Sequence, residues 1–423
     1  MTLSDVFASA DLEADPGLLF VLPKLWADMD EWHRRTAAVR RDTPVLRVDL
    51  DGFAPFWVLT RHEDVAAVER DHTHWLNTAF SVLGPDVQMG EIENSGMPLP
   101  ASLVQLDGAK HRAHRQVTND WFKPAAVGSR QSRIDAIADD FIAKMRDLGG
   151  ACDFAVDIAQ PYTLRVIMDI YGVPEEDESL MLELTQGVFG AGDPEFGGDD
   201  PQAALLSSIF RFIEYFNAIT ADRRACPQDD LASVIANGEV DGCPMGDVER
   251  LWYYIIIATA GHDTTSYGLA GGVEALLHTP GQLESLRGAP DERIVNATEE
   301  IIRWTAPVRH FLRHATEAAE IRGVTIPEGG RVLLSYPSAN RDEQVFANSM
   351  TFDINRPDAD KLLSFGYGAH FCLGAQFARR EIRTMVRRLA DQLDHIEQAG
   401  DSSWAESSFV SGVKHLPVSY AFR

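Results

Sequence analysis

Phe365-Gly366-Tyr367-Gly368-Ala369-His370-Phe371-Cys372-Leu373-Gly374 sets a cysteine in a loop punctuated by glycines and leads directly into the helical pattern of Ala375 to Leu389. Gly368 and Gly374 let backbone approach a ligand closely, because no Cβ stands in the way. A helix start just after Cys372 presents amide donors that favour a negatively charged sulfur. A thiolate compensated in this way is a good ligand for iron. An isolated cysteine is more often a small buried hydrophobe, so the surrounding pattern carries the reading. Cys152, Cys226 and Cys243 show no CxxC spacing, which argues against a zinc module or a disulfide framework in a chain of 423 residues.

Outward from this loop the pattern is mostly helical with small β regions. Val45 to Thr60 alternates around Asp51-Gly52 as a tight hairpin does, and Ile321 to Pro327 followed by Arg331 to Tyr336 forms a second β-rich patch. Asp247 to His278 has no proline and keeps apolar residues at helical spacing, which predicts one helix of about 48 Å. Thr279-Pro280-Gly281-Gln282 reads as the start of the next helix, with Thr279 as its cap. Residues Pro174 to Phe210 hold nine acidic side chains and no Lys or Arg; within them Gly190 to Pro201 reads as a mobile loop and a candidate lid. No repeat or clean linker divides the chain, so 1–423 is read as a single domain.

Within the long helix, Ala260-Gly261-His262-Asp263-Thr264-Thr265 sets a carboxylate and two hydroxyls beside a glycine. Flanking Ile255, Ile256, Ile257 and Ala258 mark this turn as buried, where polar groups are costly unless used. Thr264 is placed to bond back to the carbonyl of Ala260, kinking the helix, with Asp263 as a proton donor. Farther on, Glu300 and Arg303 share a helix face, which alone means little.

Taken in order, these motifs resemble the cytochrome P450 superfamily. Phe365, Gly368, His370, Cys372 and Gly374 match its haem-binding signature, Ala260 to Thr265 its oxygen-activation motif, and Glu300-x-x-Arg303 its Glu-x-x-Arg motif, with Arg356 as third member and a scaffold role. The resemblance implies a haem b sandwiched between the long helix and the cysteine loop, with Cys372 on iron and Asp263 and Thr264 as catalytic residues. It assigns the haem propionates to His111, Arg115, Arg313 and His370, leaving Arg112 and His114 as surface neighbours. The substrate pocket is expected from Ile256, Thr259, Ala260, Val308, Phe311 and Val410, while Arg309 and His310 are expected to face solvent. Thiolate ligation favours O–O cleavage, the case for which this superfamily is the known example.

Gly172 to Glu178, Arg303 to Val308 and Ser335 to Asp342 look more narrowly like the bacterial α-terpineol hydroxylase family. That likeness implies hydroxylation of a monoterpene, alkylbenzene or aromatic hydrocarbon with dioxygen. Electrons are expected from NAD(P)H through a ferredoxin reductase and an iron–sulfur ferredoxin. From Lys361 to Ala390 there are six basic residues and one acidic residue, a patch suited to an acidic ferredoxin. The alternatives are a peroxide-driven haem-thiolate oxygenase, which has no need of Asp263-Thr264, and a haem sensor that never turns over.

A formal charge of −26 makes phosphate-backbone binding unfavourable, so nucleic acid is excluded. The start Met1-Thr2-Leu3-Ser4-Asp5 lacks the basic and apolar parts of a secretory signal, and the longest apolar stretch, Leu251 to Ala260, is too short to cross a bilayer. A cytoplasmic monomer without a membrane anchor is expected.

Overall fold

A computed structural model describes residues 15–77, 80–86, 90, 102–189, 193–197 and 201–423. The helix Asp247–His278 runs unbroken through its main core. Asp247 and Glu249 occupy its first turn and His278 its last, the charge order that complements a helix dipole. Apolar residues cover most of its circumference, so it is buried nearly all round instead of along one stripe. At Gly261 a Cβ would stand 2.9 Å from Cδ1 of Ile167, so the glycine lets the helix Gln160–Tyr171 close on the central one. The helix Asp291–Thr305 packs against it farther along, where Gly272 faces Ile301.

The β structure is small and divided, and its largest sheet packs into cores of its own. A five-stranded sheet runs in the order Val45–Val48, Phe56–Leu59, Arg331–Ser335, His310–Ala315, Trp75–Leu76. The first two strands form the expected hairpin, with Val45 opposite Leu59 and Gly52 at φ 86° in the turn. Phe56–Leu59 then pairs in parallel with Arg331–Ser335, which joins the two β-rich patches into one sheet. Ala319–Ile321 and Val324–Ile326 make a separate hairpin.

One local expectation is corrected. Thr279 closes the long helix instead of opening the next, which has only four residues, Gln282–Ser285, and takes Gly281 at φ 83° as its N-cap. The helical run continues through Gly261. Of the candidate lid, Pro194–Gly197 is a short helix and Asp193 is buried, while 190–192 and 198–200 lie outside the described residues. Among the described residues no helix is long and apolar enough to cross a membrane.

Candidate active site

The cysteine loop is closed by the amide of Cys372 donating to the carbonyl of Phe365 at 2.9 Å. Helix Ala375–Gln392 begins directly afterwards, with Gly374 as its cap. Arg379 stacks its guanidinium 4.5 Å from the ring centre of Phe365. Gly368 has φ 72°, and a Cβ there would lie 2.5 Å from the carbonyl oxygen of Glu69. The close approach it permits in the protein is to the end of helix His62–Arg70. Gly374 does border the cavity, as do Phe365, His370 and Cys372.

Cys372 is exposed, and what it opens onto is a cavity of about 400 Å³ between the loop and the central helix. Burial pushes its thiol up. The amides of Gly374 and Ala375 and the guanidinium groups of Arg115 and Arg379 pull the other way, stabilising sulfur charge.

One edge of this cavity is basic. The rings of His111 and His370 lie 4.1 Å apart, and burial holds His111 down to about 3, with help from His370 and Arg115. Asn77 donates its amide to Nδ1 of His370 at 3.3 Å, and Asp107 lies 3.5 Å from the other ring nitrogen. Arg115 donates to the Phe371 carbonyl at 2.7 Å. Arg313 is buried, giving one N–H to the Leu312 carbonyl at 2.9 Å and another to Glu69 at 3.3 Å. The four basic residues named from sequence thus meet at one edge. Arg112 is exposed as expected; His114 is buried instead, bonded to the Lys110 carbonyl at 2.8 Å and away from the cavity.

The opposite wall comes from the central helix, where Ile256, Ala260, Thr264 and Thr265 line the space. Thr264 donates its hydroxyl to the Ala260 carbonyl at 2.8 Å, the expected back-bond. Asp263 is buried beside it, with Oδ1 3.2 Å from Nδ1 of His262 and Oδ2 without a partner among the described residues. Thr259, expected in the pocket, is turned away: its hydroxyl bonds the Ile255 carbonyl at 2.7 Å and it does not line the cavity. Val308, Phe311 and Val410 do line it, together with Phe409.

Arg309 and His310 were expected in solvent, and both are buried. Arg309 donates to the carbonyls of Thr305 at 3.0 Å, Ala306 at 3.1 Å and Ser411 at 2.8 Å, so it caps the helix Asp291–Thr305. Burial without a carboxylate partner lowers it to about 9. Carbonyl dipoles at a helix C-terminus, and Trp26 and Trp404 at 5.5 and 5.7 Å, take the place of a counter-ion.

Sequence reading also missed two acids on the cavity, Glu69 and Glu381. Burial lifts Glu69 to about 7 against the pull of Arg313 and a 2.7 Å hydrogen bond from Tyr336. Burial lifts Glu381 well above the usual range. Both were detectable, since Glu69 stands four residues after Val65 and Glu381 four after Phe377, on the apolar stripes of their helices.

Away from the cavity, Glu300 receives two N–H groups of Arg303 at 2.6 and 2.8 Å, and Arg356 lies 3.0 Å from the same carboxylate, all three buried. Arg303 also reaches the carbonyl of Asn340 at 2.7 Å, which ties the helix to the segment leading to the cysteine loop.

A family model described as Cytochrome P450 matches residues 220–410. The chain is 36% identical to Cytochrome P450-terp of a Pseudomonas species over 412 residues, covering 95% of this chain and 96% of that one. It is 31% identical to a Steroid C26-monooxygenase of Rhodococcus jostii, covering 96% and 85%. The crystal structure of CYP108D1 from Novosphingobium aromaticivorans superposes with a TM-score of 0.89 at 37% identity, covering 97% and 99%. The chain belongs to the cytochrome P450 family. Within it, the chain is a monooxygenase.

A haem is the cofactor of that family, and the residues here fit one. A thiol opens onto the cavity floor, and two arginines and two histidines, the donors that carboxylates call for, gather at one edge. Cys372 would hold the iron, and His111, Arg115, Arg313 and His370 would meet the propionate carboxylates.

Proposed function

We propose that the chain hydroxylates a small apolar molecule of the monoterpene, alkylbenzene or aromatic hydrocarbon class with dioxygen, drawing electrons from NAD(P)H through a ferredoxin reductase and a ferredoxin. The observation that carries this reading is the wall facing Cys372. Ile256, Ala260, Val308, Phe311, Phe409 and Val410 are all apolar, and the hydroxyls of Thr264 and Thr265 are among the few polar groups beside them. Such a wall excludes water and holds a substrate by shape, with little to bind a charged or sugar-like group. When bound, the haem supplies dioxygen activation and oxygen transfer.

The protein's own part is proton handling and positioning. Thr264 keeps its hydroxyl at the cavity surface through the Ala260 carbonyl, and Asp263 stands behind it with one oxygen free to take or give a proton. In the haem-loaded protein, p-cymene, limonene or naphthalene should shift the ferric absorption band as water leaves the iron. Adding NADH, reductase and ferredoxin should then give oxygen consumption matched by a hydroxylated product. Thr264→Ala should keep the haem but divert most of those electrons to peroxide. A variant as well coupled as the parent would favour the peroxide-driven alternative, and no substrate-linked oxygen uptake in the parent would favour a sensor.

A further inference from the structure

His310 opens the strand His310–Ala315 and is 1% exposed, yet its ring is fully engaged. Nδ1 lies 2.9 Å from the carbonyl of Ser408, and the backbone N–H of Leu83 donates to Nε2 at 3.1 Å. A carbonyl can only accept and an amide can only donate, so the ring is fixed as the neutral Nδ1–H tautomer. Burial keeps it neutral by lowering it to about 4.

The three segments that meet at this ring are far apart in sequence, and each contributes a cavity residue one position from the anchor. Val82 precedes Leu83, Phe409 follows Ser408, and Phe311 follows His310 itself; all three line the cavity. The Phe409 ring packs edge-on against both His310 and Phe311, with centres 5.8 and 5.5 Å away. Backbone bonds from Leu312 to Ser81 at 2.7 Å and from Arg309 to Phe409 at 2.8 Å tie the strand to each neighbour separately. The imidazole joins both neighbours through one rigid side chain.

We propose that His310 is a specificity-positioning residue, whose imidazole sets the distance between the Val82, Phe311 and Phe409 walls and so fixes which apolar shapes the cavity accepts. It does not touch the reacting atoms. The inference rests on the cavity over Cys372 being where substrate binds.

The test compares haem-loaded parent, His310→Leu and His310→Gln. Leucine fills the space but leaves the Leu83 amide and the Ser408 carbonyl unpaired; glutamine can restore both a donor and an acceptor. In His310→Leu, amide exchange should accelerate in 80–86 and 405–412 together, while the reduced carbon monoxide spectrum stays that of a thiolate-bound haem. The ratio of affinities for p-cymene and naphthalene, read from the ferric band shift, should change by about tenfold, the discrimination that one methylene's worth of misfit gives in an apolar pocket. His310→Gln should recover both readouts. Unchanged exchange in either segment overturns the brace, and lost protection with the parent's ligand ratio overturns its role in specificity. A parent haem that answers no apolar ligand counts against the proposed function, while the exchange comparison still decides the brace.

Discussion

Cys372 and Thr264 were readable because their chemistry depends on near neighbours: a helix start after the cysteine and a carbonyl four residues before the threonine. Arg309 and His310 were misread because polarity was taken for exposure: Arg309 bonds back to the carbonyls of Thr305 and Ala306 as well as to Ser411, and the partners of His310 sit about a hundred residues later, at Ser408, and more than two hundred earlier, at Leu83. Glu69 gives a prediction at this scale. Its carboxyl is raised from 4.5 to about 7, chiefly by burial. Between those values the native state keeps a proton that the unfolded chain has lost, so stability falls as pH rises across the window. Glu69→Gln, neutral throughout, should flatten that dependence, as urea midpoints at about pH 5 and about pH 7 would reveal. Equal slopes in the two proteins would show that Glu69 does not titrate there.

Elements were legible where one periodicity ruled. Asp247–His278 matches its predicted bounds, because apolar residues all round and the lack of proline admit no other reading. Its end was legible and the next start was not, since Thr279-Pro280-Gly281 serves equally as a stop and as a cap. The Glu300–Arg303 pair, ordinary by spacing, gains weight through burial and through Arg356, which sequence spacing could not reveal. Removing one member leaves buried charge without its partner, a loss of about 3–5 kcal/mol. Glu300→Ala should therefore lower the denaturation midpoint sharply, whereas Glu299→Ala, which breaks the less buried pair with Arg379, should cost about 1 kcal/mol or less.

For the whole molecule, a helical majority and a small sheet followed from pattern, but the pairing of Phe56–Leu59 with Arg331–Ser335 did not, because nothing local links strands that far apart. Charge needed the same correction. Of the basic stretch after the cysteine loop, Arg379, Arg387 and Arg388 are held by Glu299, Asp291 and Asp139 on other helices. Arg380 instead donates to the neutral Gln131, so its charge stays available near Arg383. If an acidic ferredoxin docks on this face, Arg383→Glu should slow reduction more than Arg387→Glu. The rate should also fall as salt shortens the Debye length to about 8 Å. A rate indifferent to salt and to both changes would place the docking site elsewhere.

The cavity's floor comes from one continuous stretch, 364–382, whereas its walls come from several, among them those near 82, 256–268, 308–311 and 409–410. The cysteine's placement and substrate taste are therefore inherited through separate passages of the sequence, while the basic edge draws on both. A chimera that borrows residues 405–412 from a relative can alter which molecules are oxidised while leaving the metal's cradle untouched, and descent within such a family can wander in diet without ever losing its tool.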